Sequence, residues 1–391
     1  MKRLLSILLS LVLSFMLVGC GGAAPSQQQQ QQQTTQQSTS EQKTTGALAV
    51  IHEKKFGGVY LDITIDEFNA LGFEYGDSCD VTFSNGYKLE DIPYYNGYYS
   101  KTGHPLISAY PGFPHIDVCV NNGDPLWETA GLKEGDTGTV TLREKGKYLT
   151  TQQALAAVYT TDRNDYPSDE AFANFRAMKG GQIAENMVYR SASPCNNEYG
   201  RAAYASALAE KAGVQFILDQ ADSTEEVEGY YTDPSFDMSW HKGLFDNGHV
   251  PALDMNVNYR SQKFAGKLVE GLRQMIAQDG PYLIHCTEGK DRTGFTCALL
   301  EALCGASYDE MLDDYMISYD NYYGINKQTD KDRYDAVVDA KFNDIALCIG
   351  GQPVDGKLDG LDYKAGARKY LLDAGMTEEE ITQLENKLCG K

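Results

Sequence analysis

Basic charge is scarce in this sequence: 34 Lys and Arg stand against 55 Asp and Glu, a formal net charge of −21. So acidic a surface repels nucleic-acid backbones and gains nothing at an anionic membrane face. No nucleic-acid partner is expected, and any anion-binding site must be a local positive spot in a negative field. Histidine is also scarce. Its six copies show no ligand spacing, and a zinc site would need a second Cys or His pair close by, so neither a metal nor any other cofactor is expected. Long apolar runs are missing except near the start, where Leu4 to Val18 is apolar apart from serines. That run is shorter than the ~18–20 residues of a membrane span.

Lys2 and Arg3 precede the run, which makes it a signal peptide rather than an anchor helix. It ends in Leu17-Val18-Gly19-Cys20, which resembles the lipobox of bacterial lipoproteins. The resemblance implies that Cys20 becomes the lipidated first residue of the mature chain. The protein would then be exported and held at the extracytoplasmic face of a bacterial membrane without spanning it. The alternative is an ordinary signal peptide with a chance cysteine. Residues 20–46 include the run Gln27 to Gln33 and have almost nothing apolar to bury, so they are expected to be an unfolded tether.

Apolar residues make up 42% of the 391, enough for a sizeable core, and the length suggests two folded units. Residues 47–150 are rich in Gly, Tyr and short alternating runs. Gly58 to Ile63, Cys79 to Phe83 followed by Ser84-Asn85-Gly86, and Gly138 to Leu142 read as strands of a small β-sandwich or barrel. Tyr94, Tyr95, Tyr98 and Tyr99 would form either a recognition surface or part of the packing. Residues 151–391 alternate strands with helices, as in an α/β domain with a central sheet flanked by helices. Val214 to Asp219 and Tyr282 to Ile284 are its apolar strands. Phe264, Leu268, Leu272, Met275 and Ile276 mark one helical face, and Phe295, Ala298, Leu299, Ala302 and Leu303 another. Ser307 with Glu310 and Thr377 with Glu380 are capping boxes. Of the nine cysteines, Cys79 with Cys119 and Cys348 with Cys389 are candidate disulfides in an exported protein, whereas Cys297 and Cys304 read as buried small hydrophobes.

Between a strand and a helix lies His285-Cys286-Thr287-Glu288-Gly289-Lys290-Asp291-Arg292-Thr293-Gly294. A helix N-terminus offers unpaired N–H groups and about half a positive charge. Glycines at 289 and 294 permit tight curvature, so the N–H groups of Thr287, Glu288, Gly289, Lys290, Asp291 and Arg292 can surround one phosphate. Arg292 adds a planar fork that grips two oxygens. This positive setting favours the thiolate of Cys286, the nucleophile. Thr293 can stabilise the sulfur when it leaves, His285 is expected to orient the loop, and Lys290 to add charge at the rim.

Cys-x5-Arg-Thr after a histidine resembles the signature of the cysteine-dependent protein tyrosine phosphatase superfamily. The Gly-Lys-Asp-Arg version is similar to bacterial tyrosine/lipid phosphatases. Asn174-Phe175-Arg176, Gly180-Gly181 and Val188-Tyr189-Arg190-Ser191-Ala192 resemble that family's opening motifs. Two positions depart from it: Ala177 stands where the family has Asp, and Asp219-Gln220-Ala221 where it has Asp-Leu-Arg. The second departure removes a basic residue from the expected substrate-binding side. The resemblance implies a phosphocysteine mechanism on phosphotyrosine proteins or phosphoinositides, with a general acid some thirty residues ahead of the cysteine. Asp254 fits that spacing, with Asp246 and Asp291 as rivals. The remaining alternatives are an inositol-polyphosphate phosphatase and a silent module that binds a phosphorylated ligand without turnover.

Overall fold

A computed structural model describes residues 43–232, 234–353 and 356–391. The signal peptide, Cys20 and most of the expected tether therefore lie outside the described residues.

The choice between sandwich and barrel is settled in favour of a closed barrel. Its strands are β1 (Leu48–His52), β2 (Val59–Leu61), β3 (Ser78–Phe83), β4 (Lys88–Tyr95), β5 (Pro105–Ser108), β6 (Ile116–Val120) and β7 (Thr137–Glu144). They close in the order β1-β2-β6-β5-β4-β3-β7, all antiparallel except β4 beside β5. Closure leaves no strand edge unpaired. Alternate side chains such as Val59, Leu61, Val81, Phe83, Ile116, Val118 and Val140 fill the interior. Order begins earlier than the sequence suggests. Thr45 N–H donates to Val140 and Lys43 accepts from Leu142, so the last residues of the expected tether are drawn onto β7.

Tyr94 and Tyr95 are buried, so packing explains them; Tyr98 and Tyr99 are only partly covered. None of the eight cysteines among the described residues is in a disulfide. This corrects both expected pairings. Cys79 packs inside the barrel, whereas Cys119 faces outward beside Tyr95 and Leu106, and Cys389 meets Cys304 rather than Cys348.

The second layer is a four-stranded sheet in the order β10-β11-β9-β8, with β8 (Arg176–Ala177), β9 (Val188–Ser191), β10 (Phe216–Asp219) and β11 (Tyr282–His285). β9, β11 and β10 run parallel, and β8 is antiparallel. Helix Gln262–Ala277 starts at Ser261, whose Oγ accepts from Phe264 N–H, and turns its apolar face to the sheet. Helix Asp291–Leu303 is buried on every side after its first turn and forms the centre of the domain. Both expected capping boxes are formed. Barrel and α/β domain meet directly. Helix Leu149–Leu155 straddles the expected boundary at 150, Lys101 Nζ lies 2.7 Å from Asp339, and Ala154 is buried in the main core of the α/β domain.

One buried ion network braces the front of this domain. Asp314, on helix Tyr308–Tyr323, bonds Arg176 Nε at 2.7 Å and Arg190 Nη1 at 2.5 Å. Burial pushes the Asp314 carboxyl up, but the two guanidiniums outweigh it and hold the group below the usual range. Asp314→Asn would strand two buried cations, and a loss of about 3–5 kcal/mol is expected in urea unfolding. A loss below about 1 kcal/mol would show that the network does not brace the domain.

Candidate active site

β11 ends at His285, and the chain then turns sharply through residues 286–290 before helix Asp291–Leu303 begins. Cys286 sits at the floor, 3% exposed. Gly289 has φ +67°, and a Cβ there would lie 2.1 Å from the Ser191 carbonyl oxygen, so only glycine lets the loop press on the end of β9. At Gly294 a Cβ would strike the Tyr315 ring at 2.7 Å.

Carbonyl direction decides what such a loop can bind. The Glu288 carbonyl accepts from Tyr322 Oη at 2.6 Å and Asn174 Nδ2 at 3.3 Å. The Gly289 carbonyl accepts from Arg190 Nη2 at 2.9 Å and Asn174 Nδ2 at 3.2 Å. With these oxygens engaged on the outside, the loop's N–H groups are left to face the cup above Cys286. Arg292 crosses that cup. Its Nη2 donates to Thr287 Oγ1 at 3.1 Å, and its Nη1 to the carbonyls of Met255 at 3.0 Å and Gln220 at 3.4 Å. The guanidinium is thus tied to two loops before any ligand arrives.

Several expected residues behave differently. Glu288 is engaged by the Tyr159 hydroxyl and by Lys290 at 3.7 Å, so it does not stand open to a ligand. Lys290 is not a free charge at the rim. Its Nζ lies 3.2 Å from Asp291 and sits over the rings of Tyr319 and Tyr323. Burial works against that charge, but Asp291 and the surrounding groups outweigh it and keep the lysine protonated. His285 Nδ1 reaches only the neighbouring Cys286 carbonyl, at 3.4 Å, and Nε2 has no hydrogen-bond partner. Burial pulls the ring to about 4, so it is neutral at working pH, and Asn174, Arg190 and Tyr322 perform the orienting assigned to it. Thr293 is fully buried with Oγ1 unpartnered, ready to donate.

The three candidate acids separate. Asp246 pairs with Lys242 on an exposed helix face. Asp291 is paired with Lys290; burial acts to raise its carboxyl, but Lys290, Lys341 and Arg292 outweigh this and hold it low. Asp254 stands beside the site. Its N–H bonds the Asp222 carbonyl, and the next residue, Met255, anchors Arg292. Its own carboxylate is largely exposed and 3.2 Å from Lys267.

Behind the loop, Cys195 Sγ and one oxygen each of Asp219 and Asp222 lie within 4.8 Å of one another, all buried, with His285 Nε2 3.9 Å from Asp219. No spacing in the sequence foretold this group, whose members come from three segments. Burial pushes Asp219 up to about 7 and Asp222 to about 6, and raises the Cys195 thiol well above its ordinary value. Protonation therefore offsets much of the cluster's charge.

Sequence reasoning did not find the bracing residues as such. Asn174, Arg176 and Arg190 were visible within motifs but without a role; Tyr322 and Asp314 lie on a helix far along the chain.

A tyrosine-protein phosphatase of Nostoc commune is 34% identical over 124 residues, 28% of this chain and 40% of that protein. The triple specificity protein phosphatase PtpB of Mycobacterium tuberculosis is 27% identical over 128 residues, 30% of this chain and 46% of its own. The match thus spans less than half the length of either relative. Among solved structures, the core catalytic domain of the PP-IP phosphatase SIW14 from S. cerevisiae is similar at 19% identity and a TM-score of 0.24, over 41% of this chain and 86% of that one. The tyrosine phosphatase family itself matches residues 171–390, more than half of the chain and the whole stretch that builds the loop, its brace and its flanking helices. This protein belongs to the tyrosine phosphatase family.

Proposed function

We propose that the chain hydrolyses phosphate monoesters through a phosphocysteine intermediate, with phosphotyrosine proteins as the first substrate class. The observation that carries the reading is the loop's outward-held carbonyls, which leave an amide cup between the Cys286 sulfur and the Arg292 guanidinium. As the thiolate, Cys286 attacks phosphorus in line. The S–P bond forms, the ester P–O bond breaks, and the leaving oxygen takes a proton from Asp254. Loop N–H groups and Arg292 hold the three equatorial oxygens throughout. Water then attacks the phosphocysteine and gives its proton to the Asp254 carboxylate, while Thr293 Oγ1 donates to the departing sulfur. Phosphate and the thiolate are regenerated. Asp254 is favoured over its rival in the loop because it belongs to the segment whose next residue, Met255, anchors Arg292, whereas the Asp291 side chain is turned to Lys290.

A phosphorylated inositol is a second reading, favoured by the lysine-bearing cavity that adjoins the loop. Export and lipidation at Cys20 complete the proposal, resting on Leu17-Val18-Gly19-Cys20 and the apolar run before it.

Cys286→Ser is expected to lower turnover of an aryl phosphate about a thousandfold or more while retaining phosphate-ligand binding; unchanged turnover would refute the mechanism. Arg292→Lys keeps the charge but not the fork, and a loss of about a hundredfold in kcat is expected. Asp254→Asn should slow alkyl phosphates far more than p-nitrophenyl phosphate, whose leaving group needs no proton. Equal slowing of both would remove Asp254 from the acid role. In a bacterial host, Cys20→Ala should move the protein from the membrane pellet to the soluble fraction, and continued pelleting would exclude the lipid anchor.

A further inference from the structure

A cavity of about 620 Å³ lies between the barrel and the α/β domain, starting at Lys290 and Asp291, the last residues before Arg292. That volume is within the range of about 300–1,000 Å³ usual for small-ligand sites. Its two walls differ in chemistry. On the barrel side, Tyr98, Tyr99, Ser100, Thr102, Asn121 and Asn122 present hydroxyls and carboxamides. The α/β side carries the cations Lys290 and Lys341. Phe56 from the barrel and Val257 from the α/β domain, both well exposed, also line the cavity.

Lys341 is the unusual member. It lies on a π-helical turn, Val338–Phe342, between helices Lys331–Val337 and Asn343–Gly350. Such turns insert one residue into a helix and often mark functional sites, because the extra residue re-aims a side chain. Asp339 on the same turn pairs with Lys101 of the barrel, so the turn is held against the second domain. Three carboxylates also line the cavity: Asp117, buried in the barrel wall, and Asp291 and Asp344 on the α/β side, which are already engaged. Asp291 holds Lys290, and Asp344 accepts from Arg260 at 2.7 Å and from the Tyr259 hydroxyl. Among the described residues, the Lys341 side chain has no hydrogen-bond or ion-pair partner. Burial, the larger influence, pulls its ammonium below the usual lysine range, and Lys290 adds to this; Asp291 and Asp344 offset them only in part. A half-buried cation with no partner is costly unless a ligand supplies the anion.

We propose that this cavity is a substrate subsite in which Lys341 binds a second phosphate of a small polyol ring whose first phosphate occupies the loop above Cys286. The inference rests on the phosphatase reading and selects its inositol-phosphate class. A hydroxylated ring suits a wall of hydroxyls and carboxamides on one side and cations on the other. A phosphotyrosine ring has neither the hydroxyls nor the second phosphate. The barrel thereby becomes half of the substrate site.

The test compares an inositol bisphosphate with adjacent phosphates against p-nitrophenyl phosphate, using the full mature chain. The wild type should prefer the bisphosphate. Lys341→Met should lower the ratio of kcat/KM for bisphosphate over monophosphate at least tenfold, mainly through KM, and Lys341→Arg should restore it to within about threefold. An unchanged ratio in Lys341→Met, or no preference in the wild type, would overturn the subsite. A Lys341-dependent preference for a phosphotyrosyl peptide would overturn the choice of occupant. Failure of the wild type to cleave either compound would instead strike the phosphatase reading, and the subsite with it.

Discussion

The direction of a few carbonyl groups governs this site. A loop of five residues between a strand and a helix has no intrinsic reason to turn its N–H groups inward; it does so because its oxygens are bonded from behind. Asn174, Arg190 and Tyr322 take the carbonyls of Glu288 and Gly289, and Gly289 lets the backbone press against Ser191. Arg190, and Asn174 through Arg176, are held in turn by Asp314, which neutralises the two guanidiniums that would otherwise be buried unpaired. The sulfur, the amides and Arg292 fall into place only after that chain of contacts exists.

This arrangement also answers an electrostatic demand. A chain of net charge −21 repels the dianion it would cleave unless positive potential is concentrated locally. Concentration comes from a helix N-terminus, one guanidinium tied across the cup and two lysines drawn in nearby, one quenched by Asp291 and one not. The acidic remainder of the surface sharpens the contrast between the cup and everything around it.

How much of this was legible differs from element to element, for physical reasons. Strands and capping boxes depend on residues within a few positions of one another, so Ser307 with Glu310 and the Tyr282 to Ile284 strand were readable directly. Cysteine pairing was not. Disulfide partners are set by three-dimensional proximity, and Cys79 and Cys119 lie on opposite sides of the barrel wall. His285 misled for a related cause: adjacency to Cys286 suggested an orienting role, but full burial leaves its ring neutral and with only a weak contact. Lys290 was expected to add charge at the rim and is instead folded onto two tyrosines by Asp291.

The sequence by itself determined the chemistry within reach of a short span: the thiol at 286, the guanidinium six residues on, the glycine between them and the helix start they share. Each of those is local, fixed by covalent spacing and backbone geometry. Only the tertiary structure decided what surrounds that span: the brace from residues 174, 190, 314 and 322, the buried group of Cys195, Asp219 and Asp222, and the barrel as a wall over Lys341. These depend on which distant surfaces pack together, and that choice belongs to the whole core, which no local pattern records.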